Sequence, residues 1–171
     1  MFVPVNELTT TEKGGIAEIA IANAAIQLGI VVSRPMVEGR RYDLIFDVDG
    51  RLLRVQCKWA PRVGEVVRIS SRTSRLSGQG YVRGTYSSSE VDAIAGWCPE
   101  LQRCYLLPIE EIDGQSMVHL RLSPARNNQR TGVKLAAQYE LGAIAQLGER
   151  LRGTQEVAGS SPASSTDPKA A

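Results

Sequence analysis

Histidine occurs once in the 171 residues, at His119, so multi-histidine zinc sites are excluded and a Ser-His-Asp or Cys-His triad would depend on that single side chain. Cysteine is equally sparse. Cys57, Cys98 and Cys104 are odd in number and form no C-x-x-C pair, which argues against a disulfide framework or a cysteine zinc site and suits a reducing cytoplasm. No apolar run approaches the ~18 residues of a membrane helix, and Met1–Thr11 lacks a basic flank followed by an apolar core. The chain is therefore expected to be neither membrane-bound nor secreted. Aromatic residues make up only 5%, and Trp59, Trp97, Tyr86 and Tyr105 read as packing rather than as base-stacking platforms. Chemistry is left to carboxylates, lysine, hydroxyls or an oxygen-bound metal.

The charge that is present is unevenly placed. The net charge is only +2, but Arg51, Arg54, Lys58, Arg62, Arg68, Arg72, Arg75 and Arg83 face the single acid Glu65 in one stretch. Arginine outnumbers lysine 16 to 4, and its planar fork suits phosphate oxygens and guanine edges. This stripe points to a nucleic-acid partner. Arg68, Ser70 and Arg72 alternate as on a strand that would enter a major groove, and the polar segment 71–84 reads as a loop contacting the backbone.

The length suits one domain with its own core. Apolar residues at helical spacing, from Ile16 to Leu28, predict a helix over about 12–28, carrying Glu18. Strands are expected at 30–32, 42–48, 52–59 and 63–70, with Asp49-Gly50 as a tight hairpin turn. A strand and short helix are expected over 86–95, strands at 104–108 and 119–122, and a closing helix over 132–141.

Within this order, Glu18 lies on the helix, Asp43 on the first hairpin strand, and Gln56 and Lys58 on the second. Residues i and i+2 of a strand share a face, so Gln56 and Lys58 project together while Val55 and Cys57 point away. A carboxylate, an amide oxygen and a backbone carbonyl form an oxygen-only site suited to Mg2+ or Mn2+. A lysine beside such an ion can orient a water or neutralise a phosphate.

The constellation resembles the active site of the PD-(D/E)XK nuclease superfamily, most closely its group I intron-associated homing endonuclease branch, where Gln replaces the usual acid. Gly14-Gly15-Ile16-Ala17-Glu18, Tyr42-Asp43, Gln56-Cys57-Lys58-Trp59 and Cys104-Tyr105-Leu106-Leu107-Pro108-Ile109 carry the resemblance, and Arg41-Tyr42-Asp43 stands where Pro-Asp would be. The resemblance implies an α/β fold of restriction-endonuclease type, a mixed central β-sheet flanked by helices. It implies that Asp43, Gln56 and the Cys57 carbonyl hold Mg2+ (or Mn2+), that Lys58 serves the nucleophilic water, and that Glu18 assists through a metal-bound water. The activity implied is hydrolysis of phosphodiester bonds in double-stranded DNA, with Arg62, Arg68, Arg72, Arg75, Arg83 and Arg126 as DNA contacts. Cutting both strands with one site per chain implies a homodimer or homotetramer. A Holliday-junction resolvase shares the Glu, Asp and Lys order, and a catalytically inactive DNA-binding module would keep the fold and the basic stripe; both remain alternatives.

Residues 1–142 are expected to form the endonuclease domain. Residues 143–171, rich in Ala, Gly, Ser and Pro, read as a disordered low-complexity tail. That tail resembles a translated tRNA gene: Ala145-Gln146-Leu147-Gly148-Glu149-Arg150 can be written in D-arm bases and Gly159-Ser160-Ser161-Pro162 in T-arm bases.

Overall fold

The computed structural model describes residues 7–37, 39–78, 80–124 and 132–143. Helix α1 (Thr10–Gln27) starts at a capping box: the Thr9 hydroxyl accepts the Glu12 N–H at 3.2 Å, and Glu12 Oε2 accepts the Thr9 N–H at 2.8 Å. Ala17, Ile21 and Ala25, four residues apart, form its buried face. Gly29, at φ 80°, ends it.

The strands are β1 (Val31–Ser33), β2 (Leu44–Val48), β3 (Arg51–Trp59), β4 (Arg62–Val63), β5 (Val66–Ser70), β6 (Arg72–Ser77), β7 (Gly80–Thr85), β8 (Ala93–Cys98), β9 (Arg103–Pro108), β10 (Met117–Arg121) and β11 (Lys134–Leu135). Five make a mixed sheet in the order β1-β2-β3-β8-β9, with β3 and β8 its parallel pair. The β2–β3 hairpin turns where expected, with Asp49 at φ 53°, Gly50 at φ 80° and the Gly50 N–H on Asp47 Oδ1 at 2.9 Å.

Alternation along β3, β8 and β9 divides the interior into two cores. Leu53, Val55, Cys57, Ala95, Cys104 and Leu106 pack against α1 on one face. On the other face Ile94, Cys98, Tyr105 and Leu107 meet Val67, Ile69, Val118 and Leu120 of a second sheet, ordered β11-β10-β5-β4. A helix thus covers one face of the central sheet and a sheet covers the other. The second sheet approaches the first closely at Gly96, where a Cβ would lie 2.8 Å from Ile69 Cδ1 and 3.0 Å from Ala60 Cβ.

Four segments differ from the sequence expectation. Segment 71–84 is not a loop but the hairpin β6–β7, paired from Arg72↔Thr85 to Ser77↔Gly80 as a sheet of its own. The stretch is mostly Arg, Ser, Thr and Gly with only scattered apolar residues, so no apolar alternation marks it. Segment 63–70 breaks into β4 and β5 at Gly64, which turns at φ 58°. Segment 132–141 forms β11, parallel to β10, and 3-10 turns rather than a helix. Ala136, Tyr139 and Leu141 are buried as the helical spacing suggested, but from turns. Around 86–95 a turn at 88–90 takes the place of the short helix. The tail from 144 onward lies outside the described residues. No helix among the described residues is long and apolar enough to cross a membrane.

Candidate active site

Asp43 directly precedes β2, and its N–H continues the ladder to the Val55 carbonyl at 2.9 Å, which sets it across from Gln56. Its carboxylate Oδ2 accepts the Cys57 N–H at 2.8 Å and a close hydrogen bond from Gln56 Nε2. Gln56 is 8% exposed, and its Nε2 also donates to the Cys57 carbonyl at 3.3 Å. Burial pushes the Asp43 carboxyl above its ordinary range, opposed by the Cys57 N–H, the Lys58 charge, the Gln56 amide and Arg34.

Glu18 projects from α1 into the same cleft, a space of about 430 Å³ that Asp43, Tyr42, Arg34 and Arg40 also line. Its carboxyl too is raised, by burial and then by the negative charge of Asp43, while Arg34, bonded to it at 3.1 Å, pulls it down. Both carboxyls thus hold a proton more firmly than an exposed carboxylate would. Among the described residues no cluster of three His, Cys, Asp or Glu could hold a metal. Oxygen atoms that could serve a cation here are those of the Asp43 and Glu18 carboxylates, the Cys57 carbonyl and the Gln56 amide. The Cys57 thiol faces the α1 core and is pushed well above its usual range, chiefly by burial, so that residue offers the cleft its backbone alone.

Lys58, two residues beyond Gln56 on β3, places Nζ 3.4 Å from the Tyr86 hydroxyl and 4.9 Å from the centre of its ring. Tyr86 is buried, as a packing residue would be, but its ring also lies 4.9 Å from the Arg41 guanidinium carbon. Arg41 donates from Nε to Glu90 at 2.8 Å and from an NH1 proton to Thr73 Oγ1 at 2.7 Å. Arg54 grips the turn before β8, donating to both Asp92 oxygens and to the Ser88 and Ser89 carbonyls. Against the upward pull of burial, Arg54 holds the Asp92 carboxyl below its usual range. Arg34, Arg41 and Tyr86 escaped the sequence reading as site residues; the only local signal was that both arginines lie in the stretch leading to Asp43.

A family model described as PD-(D/E)XK endonuclease matches residues 8–142. The chain belongs to the PD-(D/E)XK endonuclease family. Among solved structures, the bacterial homing endonuclease I-Ssp6803I is similar at 28% identity and a TM-score of 0.65, over 87% of this chain and 99% of that one. Comparison with curated proteins gives no match.

In this PD-(D/E)XK endonuclease the expected DNA-contacting arginines spread over one hairpin and its neighbouring strands. Arg72 and Arg83, both exposed, stand on β6 and β7 and border a cleft of about 710 Å³ with Thr73, Thr85 and Ser116. Arg68 is exposed on β5, opposite His119 of β10. Arg62 bonds the Gly64 carbonyl at 2.7 Å and Glu65 at 2.9 Å. The Arg75 side chain and Arg126 lie outside the described residues.

Proposed function

We propose that this endonuclease cuts double-stranded DNA with the help of Mg2+ or Mn2+ as the homing enzyme of a mobile group I intron. The observation that carries this reading is the Asp43 carboxylate bonded to Gln56 across β2–β3, with the Lys58 charge acting on it and Glu18 of α1 sharing its cleft.

The donor set fits a hard divalent ion that takes one or two carboxylates from the protein and completes its shell with water and phosphate. Both bonds accepted by Asp43 fall on Oδ2, leaving Oδ1 for the ion. Gln56 contributes its oxygen if the amide turns over, since its nitrogen now faces Asp43. Bound there, the ion supplies activation of water and neutralisation of charge at the phosphate. Lys58 holds its cation beside Asp43, where it can orient the attacking water and offset the charge that develops on the phosphate. The hairpin arginines hold the duplex backbone.

With one cleft per chain, cutting both strands calls for a homodimer or homotetramer. Residues 1–142 are the catalytic unit in this reading, and 143–171 a translated stretch of tRNA gene, which would put the locus beside a landing site for mobile DNA. Sequencing the locus tests that origin. Three cysteines, all free and buried, support work in a reducing cytoplasm.

The deciding experiment incubates the chain with Mg2+ or Mn2+ and three DNAs: the uninterrupted host locus, a random duplex and a four-way junction. Cutting at the locus alone, lost in Lys58→Ala with DNA binding retained, is the expected result. Cutting of the junction alone would make it a resolvase, and binding without cutting, even after Gln56→Glu, would make it a DNA-binding module.

A further inference from the structure

Arg41, Tyr86 and Thr73 form a chain of contacts leading from the β6–β7 hairpin to Lys58, and the nuclease chemistry assigned above uses none of the three. Tyr86 directly follows β7, and its N–H reaches the Ser71 carbonyl at 3.3 Å, so it sits at the root of the hairpin. Thr73 lies at the other root, on β6, and accepts from Arg41 at 2.7 Å. The Arg41 guanidinium is held on three sides: by Thr73, by Glu90 at 2.8 Å and by the Tyr86 ring. The same ring and its hydroxyl meet Lys58. A lysine side chain has four rotatable bonds, and where its cation comes to rest depends on what fixes its tip.

We infer that Tyr86 is the positioning residue for Lys58 and that Arg41 ties this position to the hairpin, so that engagement of the hairpin by a duplex sets the geometry of the catalytic lysine. This rests on the endonuclease reading. Displacing either hairpin root moves Tyr86 or Arg41, and both touch the ring on which Lys58 rests. The device makes cleavage depend on how the hairpin sits, over and above how tightly DNA is bound.

The test has two arms. In the first, cleavage of the host locus is followed under single turnover at saturating enzyme for Tyr86→Phe, Arg41→Gln and Thr73→Val. Tyr86→Phe keeps the ring and removes the hydroxyl, and Thr73→Val keeps the shape and removes the acceptor. Each should cut about tenfold more slowly while binding the duplex within about twofold of the parent. In the second arm, the four lysines are labelled at Cε and observed by NMR, the Lys58 signal being the one lost in Lys58→Ala. That signal should move in Arg41→Gln, and again in Tyr86→Leu, which removes the ring, while the Lys13 signal stays in place. Parental cutting rates in all three variants, or a Lys58 signal unmoved by Arg41→Gln, would overturn the inference. If the parent cuts no DNA, the endonuclease reading falls, and the lysine spectrum still decides whether Arg41 and Tyr86 place Lys58.

Discussion

Asp43 and Gln56 face each other across β2 and β3, and the Gln56 amide nitrogen donates to the same carboxylate oxygen that accepts the Cys57 N–H. A neutral amide therefore stands where a second acid would oppose Asp43. In the absence of a cation it satisfies the buried carboxylate, whereas an acid there would repel it.

Gln56→Glu should reverse that balance. Two facing carboxylates share one buried site, so without metal the variant is expected to lose about 1–3 kcal/mol of stability at neutral pH. Mg2+ should restore it, and the variant should bind the ion more tightly than the parent. Melting in chelator and in Mg2+ checks both; a variant as stable as the parent in chelator would show that the two carboxyls do not meet.

Asp43→Asn should abolish cutting and alter the pH dependence of stability. Because the folded Asp43 carboxyl is raised, its contribution is fully present below the unfolded carboxylate range near pH 4 and is lost as pH rises through the folded value. Asparagine does not titrate, and its oxygen can still accept from Cys57 and Gln56. The variant should thus melt at or above the parent at pH 7, with the gap closing towards pH 3. Asp92, lowered by Arg54, contributes with the opposite sign in both proteins and drops out of the difference. A gap independent of pH would place the Asp43 carboxyl at its ordinary value.

Arg72 and Arg83 are exposed on the hairpin, and replacing both with alanine should leave the melting temperature unchanged. If each neutralises one phosphate, the slope of log affinity against log salt should fall by about two. Titration of a duplex between about 50 and 200 mM salt reads this directly. An unchanged slope would move the DNA contacts away from the hairpin.

Gly96→Ala places a methyl group within 2.8 Å of Ile69 Cδ1, at the contact between the two sheets. Overpacking there should cost about 1–3 kcal/mol in denaturant unfolding. Because Gly96 pairs with Lys58 across the parallel β3–β8 ladder, the added volume falls beside Lys58. Ile69→Val in the same chain should recover part of the loss.

Much of the fold around Asp43 was legible because it is encoded locally. Apolar spacing from Ile16 to Leu28 marks the helix, Asp49-Gly50 the turn, and alternation along β3 separates Val55 and Cys57 from Gln56 and Lys58. The hairpin was hidden because 72–85 is mostly Arg, Ser, Thr and Gly, and a strand without alternating apolar residues leaves no period to read. The closing segment misled for the opposite reason: Ala136 and Tyr139 are spaced as on a helix and both are buried, yet Lys134–Leu135 pairs with β10 first. Contacts such as Arg41 to Glu90, 49 residues apart, leave no trace in spacing at all.

The hairpin β6–β7 forms a sheet of its own on which Arg72, Ser74, Val82 and Arg83 are exposed, whereas Val55 and Cys57, flanking Gln56, lie in one of the apolar cores. Changes to exposed hairpin positions therefore leave the fold nearly untouched, and changes beside Gln56 do not. If the hairpin reads the duplex as proposed, its target can change by single substitutions, each passing through a folded protein, while the strand that carries Gln56 and Lys58 is inherited whole.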